Sequence, residues 1–216
     1  SCFPEAAAHV RARITFDTTE HGLPAYEEFL ASGPDGGEIE SVTGDDDILS
    51  ISFTSGTTGT PKGVMQSQRM IKAITQSGAL ELGIRPGDLL MSGAPLFHAG
   101  GIGHVMYGVS RGGGSVILPQ WDLELGLHWL QEGGVRQAML VPSMIIQLLG
   151  HPRVRDTDYP TLRSIMYGGA PMPTAVIREM VEVFRCDLHN GFGAGTEAGG
   201  QLVLRPEDHR RALAGE

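Results

Sequence analysis

The chain has 216 residues, which is enough for one large domain or two small ones with a buried core. Its formal net charge of -9 argues against nucleic acids and anionic membranes as partners, because these require clustered lysine and arginine. Cys2 and Cys186 are far apart in sequence and indicate neither a disulfide framework nor a CxxC metal motif. No apolar run approaches the roughly 20 residues that cross a bilayer, so we expect a soluble, cytoplasmic protein that acts on a small molecule.

The first part of the chain leads into a strand and a glycine-rich loop. Residues 1–47 are weakly patterned, and we interpret them as a lead-in that completes an upstream subdomain. The apolar run at 48–53 predicts a strand, which continues into a loop rich in glycine and threonine over 54–63. Ser67 is placed to cap a helix that ends near Leu82. We expect residues 48–84 to form one strand, loop and helix segment.

Strands and helices alternate in the rest of the chain. The pattern predicts strands at 89–92, 115–118, 138–141, 164–167 and 187–190, and helices at 123–131, 143–149 and 174–184. Such alternation is typical of an α/β fold with a mostly parallel sheet and flanking helices. We expect an α/β subdomain over 85–204 and a polar tail over 205–216. Ligands bind beyond the carboxyl ends of strands in such sheets, and the glycine-rich loops after Phe53, Tyr167 and Asn190 are therefore the predicted site.

The loop at 54–63 combines flexibility, hydroxyl groups and a positive charge. Glycine allows several backbone N–H groups to turn toward one point, and Lys62 supplies a mobile charge for phosphate oxygens. The loop is not a Walker A motif, because Pro61 precedes the lysine and Gly63 follows it. A flexible surface turn is the alternative. We predict a triphosphate cradle formed by Thr54, Ser55, Gly56, Thr57, Thr58, Gly59 and Lys62.

Residues 55–63, SGTTGTPKG, resemble the phosphate-loop signature of the adenylate-forming superfamily of acyl-CoA synthetases, luciferases and peptide-synthetase adenylation domains. Three further segments agree in order and spacing: PLFHAGG at 95–101, YGGAPM at 167–172 and NGFGAGTE at 190–197. The resemblance implies that the chain is part of the large N-terminal domain of such an enzyme. Since only 19 residues follow Glu197, we expect a fragment that lacks the C-terminal lid and does not turn over. The alternative is a complete short protein with a different task.

The resemblance also implies roles for individual residues. Thr196 is expected at the α-phosphate of ATP and Glu197 at magnesium, which prefers carboxylate oxygen and bridges phosphate charge. Phe192 is either a ring that stacks on the adenine or a core side chain. One residue more than the family pattern separates it from Thr196, which leaves its register open. The nucleotide-binding residues implied are Gly169, Ala170, Pro171, Asn190, Gly191, Phe192, Gly193 and Thr196.

His98 matches the family position at which an aromatic or histidine side chain gates the carboxylate pocket. A histidine can donate a hydrogen bond to a carboxylate. Amino-acid-activating relatives usually carry aspartate at this position, where it pairs with the substrate ammonium, so His98 favours an acid without an α-amino group. His104 follows six residues later, but no flanking cysteine or acid supports a metal pair. A histidine packed on the loop is the alternative interpretation.

The implied reaction is attack of a fatty or aryl carboxylate on the α-phosphorus of ATP, which yields an acyl adenylate and pyrophosphate. Thioester formation with CoA follows in the full-length enzyme, and a carrier protein is the other acceptor that the sequence leaves open. The predicted catalytic residues are Lys62, His98, Thr196 and Glu197. Two other functions stay open: a non-catalytic sensor of ATP or acyl adenylate, and an interaction module. The sequence also leaves open whether the protein forms a homodimer.

Overall fold

The computed structural model divides the chain into two units, Ser1–Thr43 and Gly44–Glu216. In the first unit, helix α1 (Tyr26–Ala31) follows a bridge between Thr15 and Ala25. The rings of Phe16 and Tyr26 stack with their centroids 4.8 Å apart. The residues that the structure describes are 14–16, 24–34, 36–37, 40, 42–54, 59–193 and 202–215.

The second unit begins with an antiparallel hairpin of β1 (Ile48–Thr54) and β2 (Lys62–Ser67), in which Thr54 lies opposite Lys62. Among the described residues these strands pair only with each other. The glycine-rich loop therefore joins two antiparallel strands, and its predicted place after a strand of the parallel sheet is wrong. The alternation of apolar residues and serine in β1 is typical of a strand with two unlike faces, whereas buried parallel strands are apolar throughout.

A six-stranded sheet forms the centre of this unit within the described residues. The strand order is β4-β3-β5-β6-β7-β8, with β8 antiparallel to β7 and the other neighbours parallel. The central strand β5 is buried at all four positions, as expected where both faces of a sheet are covered. The strands are β3 (Leu89–Ser92), β4 (Gly114–Ile117), β5 (Gln137–Leu140), β6 (Ser164–Gly168), β7 (Asp187–Phe192) and β8 (Leu202–Leu204).

Helices connect the strands and cover the sheet. Helix α2 begins directly after β2, because the side chain of Ser67 accepts a hydrogen bond from the Met70 N–H at 3.3 Å and caps the helix. The core includes Leu130, Leu140 and Tyr167, all buried. The helices are α2 (Gln68–Glu81), α3 (Ala99–Ser110), α4 (Leu123–Gln131), α5 (Pro142–Leu149), α6 (Thr174–Phe184) and α7 (Pro206–Ala214).

Helices α3 and α7 lie where the sequence predicted no regular element. Three of the first five residues of helix α3 are glycines, which are poor helix formers. A Cβ atom on Gly101 would lie 2.2 Å from the carbonyl oxygen of Pro95, so the close approach of the segment before the helix requires glycine there. In α7, which we expected to be a polar tail, His209 is buried. No helix of the described chain is long and apolar enough to cross a membrane.

Candidate active site

A cavity of about 550 Å³ lies between the β1–β2 hairpin, helices α2 and α3, and the carboxyl ends of β5, β6 and β7. Its size suits a small organic ligand. Most of its wall is apolar, with a few polar groups that include His98 and His104. The larger apolar side chains of the wall include Leu49, Ile71, Ile74, Leu96, Phe97, Ile102, Met106, Met139, Met144 and Met166.

The end of β6 brings two glycines to this cavity. Gly169 has a φ of +81°, a backbone conformation that glycine adopts without steric cost. A Cβ atom on Gly168 would lie 2.4 Å from the carbonyl oxygen of Gly191, so β6 and β7 approach too closely for a side chain. Both glycines line the cavity, whereas Ala170 and Pro171 are exposed beyond the strand. The segment predicted to line the adenine, residues 169–171, therefore begins at the edge of the cavity.

The end of β7 is joined to β6 by a side chain. Asn190 Nδ2 donates a hydrogen bond to the carbonyl oxygen of Tyr167 at 3.2 Å. Gly191 and Gly193 line the cavity. Phe192 is 70% exposed, which contradicts its interpretation as a core side chain. Its contact with adenine stays a prediction.

Only the two ends of the predicted phosphate loop are among the residues that the structure describes. Thr54 and Lys62 are cross-strand neighbours, and Gly59 has a φ of +97°. None of these three lines the cavity as described. The other predicted site residues, Ser55, Gly56, Thr57, Thr58, Thr196 and Glu197, lie outside the described residues. Among the residues that are described, no group of three or more His, Cys, Asp or Glu side chains is placed to hold a metal.

His98 lies where the segment after β3 turns into α3. Its carbonyl oxygen accepts hydrogen bonds from the N–H groups of Gly101 and Ile102, at 3.0 and 3.2 Å, which starts the helix. The side chain is exposed and lines the cavity. The geometry therefore places the predicted gating residue at the cavity, while its gating role stays a prediction.

His104 also lines the cavity, although the sequence analysis discussed it only as a possible metal ligand beside His98. It is 1% exposed, and burial lowers its pKa to about 4. Neither ring nitrogen has a hydrogen-bond partner in the described part of the chain. The spacing of Gly101, His104 and Gly108 marks the buried face of α3, and this signal was missed because the helix was not predicted.

Comparison with protein families matches residues 4–215 to the AMP-binding enzyme family. The chain belongs to this family. It is 33% identical over 158 residues to the fatty acid–[acyl-carrier-protein] ligase ScoC of Streptomyces coeruleorubidus, a match that covers 71% of this chain and 30% of that protein. It is 30% identical over 181 residues to the indoleacetate–CoA ligase of Aromatoleum aromaticum, covering 82% of this chain and 35% of that protein.

The fold resembles the inhibitor-bound crystal structure of the N-terminal domain of FACL13 from Mycobacterium tuberculosis. The TM-score is 0.80 at 28% identity, over 88% of this chain and 48% of that one. These matches confirm the predicted family and the α/β fold with a mostly parallel sheet. The chain spans about a third of the length of the curated relatives it matches.

Proposed function

We propose that this chain provides the nucleotide- and acid-binding core of an AMP-forming acid ligase. The observation that carries the proposal is the apolar cavity, which extends from His98 to the glycine-lined ends of β6 and β7 in a member of the AMP-binding family. An apolar cavity holds the hydrocarbon part of an acid, and a glycine-lined edge allows a nucleotide to approach the backbone. The acid carboxylate and the α-phosphate would then meet near His98.

Transfer of the adenylyl group requires positioning and charge neutralisation more than covalent help. Lys62 and the N–H groups of its loop would hold the pyrophosphate that leaves. Thr196 would contact the α-phosphate, and Glu197 would hold Mg²⁺. A carboxylate and a hydroxyl are the oxygen donors that this hard cation prefers, and the bound ion would neutralise phosphate charge.

The proposed substrate is a fatty or aryl acid without an α-amino group. Among the described residues that line the cavity there is no aspartate or glutamate to pair with a substrate ammonium. An unpaired ammonium in an apolar wall is costly, so the wall favours acids whose only charge is the carboxylate. The relatives named above act on fatty acid and on indoleacetate, which agrees with this range.

We propose CoA as the thiol acceptor in the full-length enzyme. The indoleacetate ligase uses CoA according to its name, whereas ScoC is named for an acyl carrier protein. A carrier protein is therefore the alternative acceptor. Thioester formation with each acceptor, measured on the longer enzyme, separates the two.

Calorimetric titration of the 216-residue chain with Mg·ATP, followed by fatty and aryl acids, tests the core of the proposal. We expect weak nucleotide binding and acid binding in the same preparation. A chain that binds no nucleotide would contradict the proposal and favour an interaction module. Nucleotide binding without pyrophosphate release from the longer enzyme, with any acid, would favour the non-catalytic sensor. That the isolated chain does not turn over stays a prediction, and sustained pyrophosphate release from it would contradict that prediction.

A further inference from the structure

A bidentate ion pair joins helix α2 to the residue that follows strand β8. Glu81 is the last residue of α2, and Arg205 lies between β8 and α7. Nε and Nη2 of Arg205 donate hydrogen bonds to Oε1 and Oε2 of Glu81, at 2.5 and 2.8 Å. The hydrogen bond from Arg205 lowers the pKa of Glu81, so this carboxylate is ionised at neutral pH. Two parallel bonds of this kind fix the orientation of both side chains.

The Glu81 end of this pair is anchored on the sheet. Ala79, two residues earlier on α2, is completely buried. The carbonyl oxygen of Leu82 accepts a hydrogen bond from Nε2 of Gln137 at 2.5 Å. Gln137 is a buried residue of the central strand β5. Glu81 therefore extends from a part of α2 that is held in place on both sides.

Strand β8, at the other end of the pair, has few contacts of its own. It has three residues, and Leu202 and Leu204 are 65% and 42% exposed. Among the described residues it pairs only with β7. Segments that bury little apolar surface have low local stability. The contacts made just after the strand, by Arg205 and α7, therefore contribute much of what holds β8 in place.

Strand β8 borders the glycine-lined edge of the cavity. Val203 lies opposite Gly191, and Leu202 lies opposite Phe192. Gly191 lines the cavity, and the nucleotide is proposed to bind at this edge. A displacement of β8 would therefore move the backbone that the nucleotide approaches.

We propose that Glu81 and Arg205 are positioning residues for nucleotide binding, because their ion pair fixes β8 and, through β8, the end of β7 at Gly191. This inference rests on the proposed function, since it takes the nucleotide to lie at that edge. Neither residue lines the cavity as described. Both line a separate open groove between α2, β7 and the start of α7, so they act through the strands and not by contact with the nucleotide.

Calorimetric titration with Mg·ATP tests the role of the pair in the 216-residue chain. Arg205→Met keeps an apolar stem and removes the guanidinium. We expect binding to be about threefold weaker in this variant, on the scale of one partly exposed ion pair. Arg210→Met is the matched control, because Arg210 lies on the same helix and pairs with Asp187, the first residue of β7, at 3.1 Å. The control should bind nucleotide as the unaltered chain does.

Two further measurements distinguish positioning from a general loss of stability. Glu81→Gln should weaken binding as much as Arg205→Met, and the double variant should bind no more weakly than either, because one substitution already breaks the pair. Amide hydrogen exchange in β8 should be faster in Arg205→Met than in the unaltered chain. Mg·ATP should slow this exchange in both proteins, because a ligand that requires the ordered strand also stabilises it.

Unchanged nucleotide affinity in Arg205→Met would overturn this role and leave the proposed function intact, and so would an equal loss in Arg210→Met. Additive losses in the double variant, or exchange in β8 that Mg·ATP does not slow, would overturn it as well. An unaltered chain that binds no Mg·ATP would contradict the proposed function and this inference with it. The thermal unfolding midpoint reports whether each variant is folded. If Arg205→Met does not fold, weaker binding in Glu81→Gln supports the role, and unchanged binding overturns it.

Discussion

The hydroxyl of Tyr167 lies 2.8 Å from Nε2 of His209, and this contact joins strand β6 to helix α7. Nδ1 of His209 lies 2.8 Å from the carbonyl oxygen of Arg205. Because a carbonyl oxygen only accepts, Nδ1 carries the proton, and in the neutral ring Nε2 accepts from the tyrosine hydroxyl. Both side chains are buried. Helix α7 therefore packs against β6, the strand that leads to Gly169.

Tyr167→Phe should lower the free energy of unfolding by about 1 to 2 kcal/mol, because it leaves a buried nitrogen of His209 unpaired. Urea denaturation measures this change. A double-mutant cycle with His209→Ala isolates the energy of the pair. A coupling energy near zero would show that the contact contributes nothing to stability.

Gly168→Ala should destabilise the chain more than Gly169→Ala. The new methyl at position 168 would meet the backbone of Gly191 at 2.4 Å, which forces β6 and β7 apart and costs about 2 to 3 kcal/mol. At position 169 no atom of the described residues lies within 4 Å of the added methyl, and the strain comes from the positive φ, at about 1 kcal/mol. Chemical denaturation of the two variants compares them. The reverse order would show that the strands separate at little cost.

Lys62→Ala should weaken Mg·ATP binding about tenfold at low salt, on the scale of one charge-assisted hydrogen bond to phosphate. The difference from the unaltered chain should shrink in about 1 M salt, because ions screen the interaction. Calorimetry at two salt concentrations provides the measurement. Lys72→Ala is the matched control, since Lys72 is the only other lysine and is exposed on α2. An equal loss in both variants would indicate a general charge effect.

Stability should decrease as the pH falls from about 6.5 to about 4. Burial lowers the pKa of His104 to about 4, whereas an unfolded histidine titrates near 6.5. Between these values the unfolded chain binds more protons, so acid favours unfolding. His104→Phe should therefore lose less stability than the unaltered chain between pH 7 and pH 4.5, by on the order of 2 kcal/mol. Chemical denaturation at the two pH values measures the difference.

Two features make that comparison specific. The pKa of His189 is also lowered by burial, but His189 is present in both proteins and its contribution cancels. Tyr107→Phe is the matched control on the same helix, because burial raises the pKa of Tyr107 above its ordinary value of 10 and it does not titrate in this range. Parallel acid profiles for His104→Phe and the unaltered chain would contradict a neutral, buried His104.

Glu197→Gln should raise the Mg²⁺ concentration needed for half-maximal ATP binding, because an amide oxygen is a weaker ligand than a carboxylate. Titration of the chain with Mg²⁺ at constant ATP measures the shift. Glu207→Gln, an exposed acid at the start of α7, is the control. An unchanged metal requirement in Glu197→Gln would remove this residue from the metal site.

The sequence by itself determined the family and the fold class. The segment at 55–63 and three later segments carry the resemblance, and the match over 4–215 confirms it. The alternating strands and helices predicted the parallel sheet, with strand ends displaced by only one or two residues. These features are local, since motif spacing and hydrophobic periodicity are complete within short stretches of chain.

Only the tertiary structure decided which strand pairs with which and which side chains reach the cavity. The pairing of Thr54 with Lys62 shows that the strands on either side of the predicted phosphate loop form a hairpin outside the six-stranded sheet. Helix α3 forms although glycine disfavours helices, and at position 101 the backbone of Pro95 leaves no room for a side chain. The burial of His104 and the contact of Tyr167 with His209 depend on segments that meet only in the folded chain. The burial of a histidine depends on those contacts, and its pKa depends on its burial. Local sequence patterns therefore do not reveal either of them.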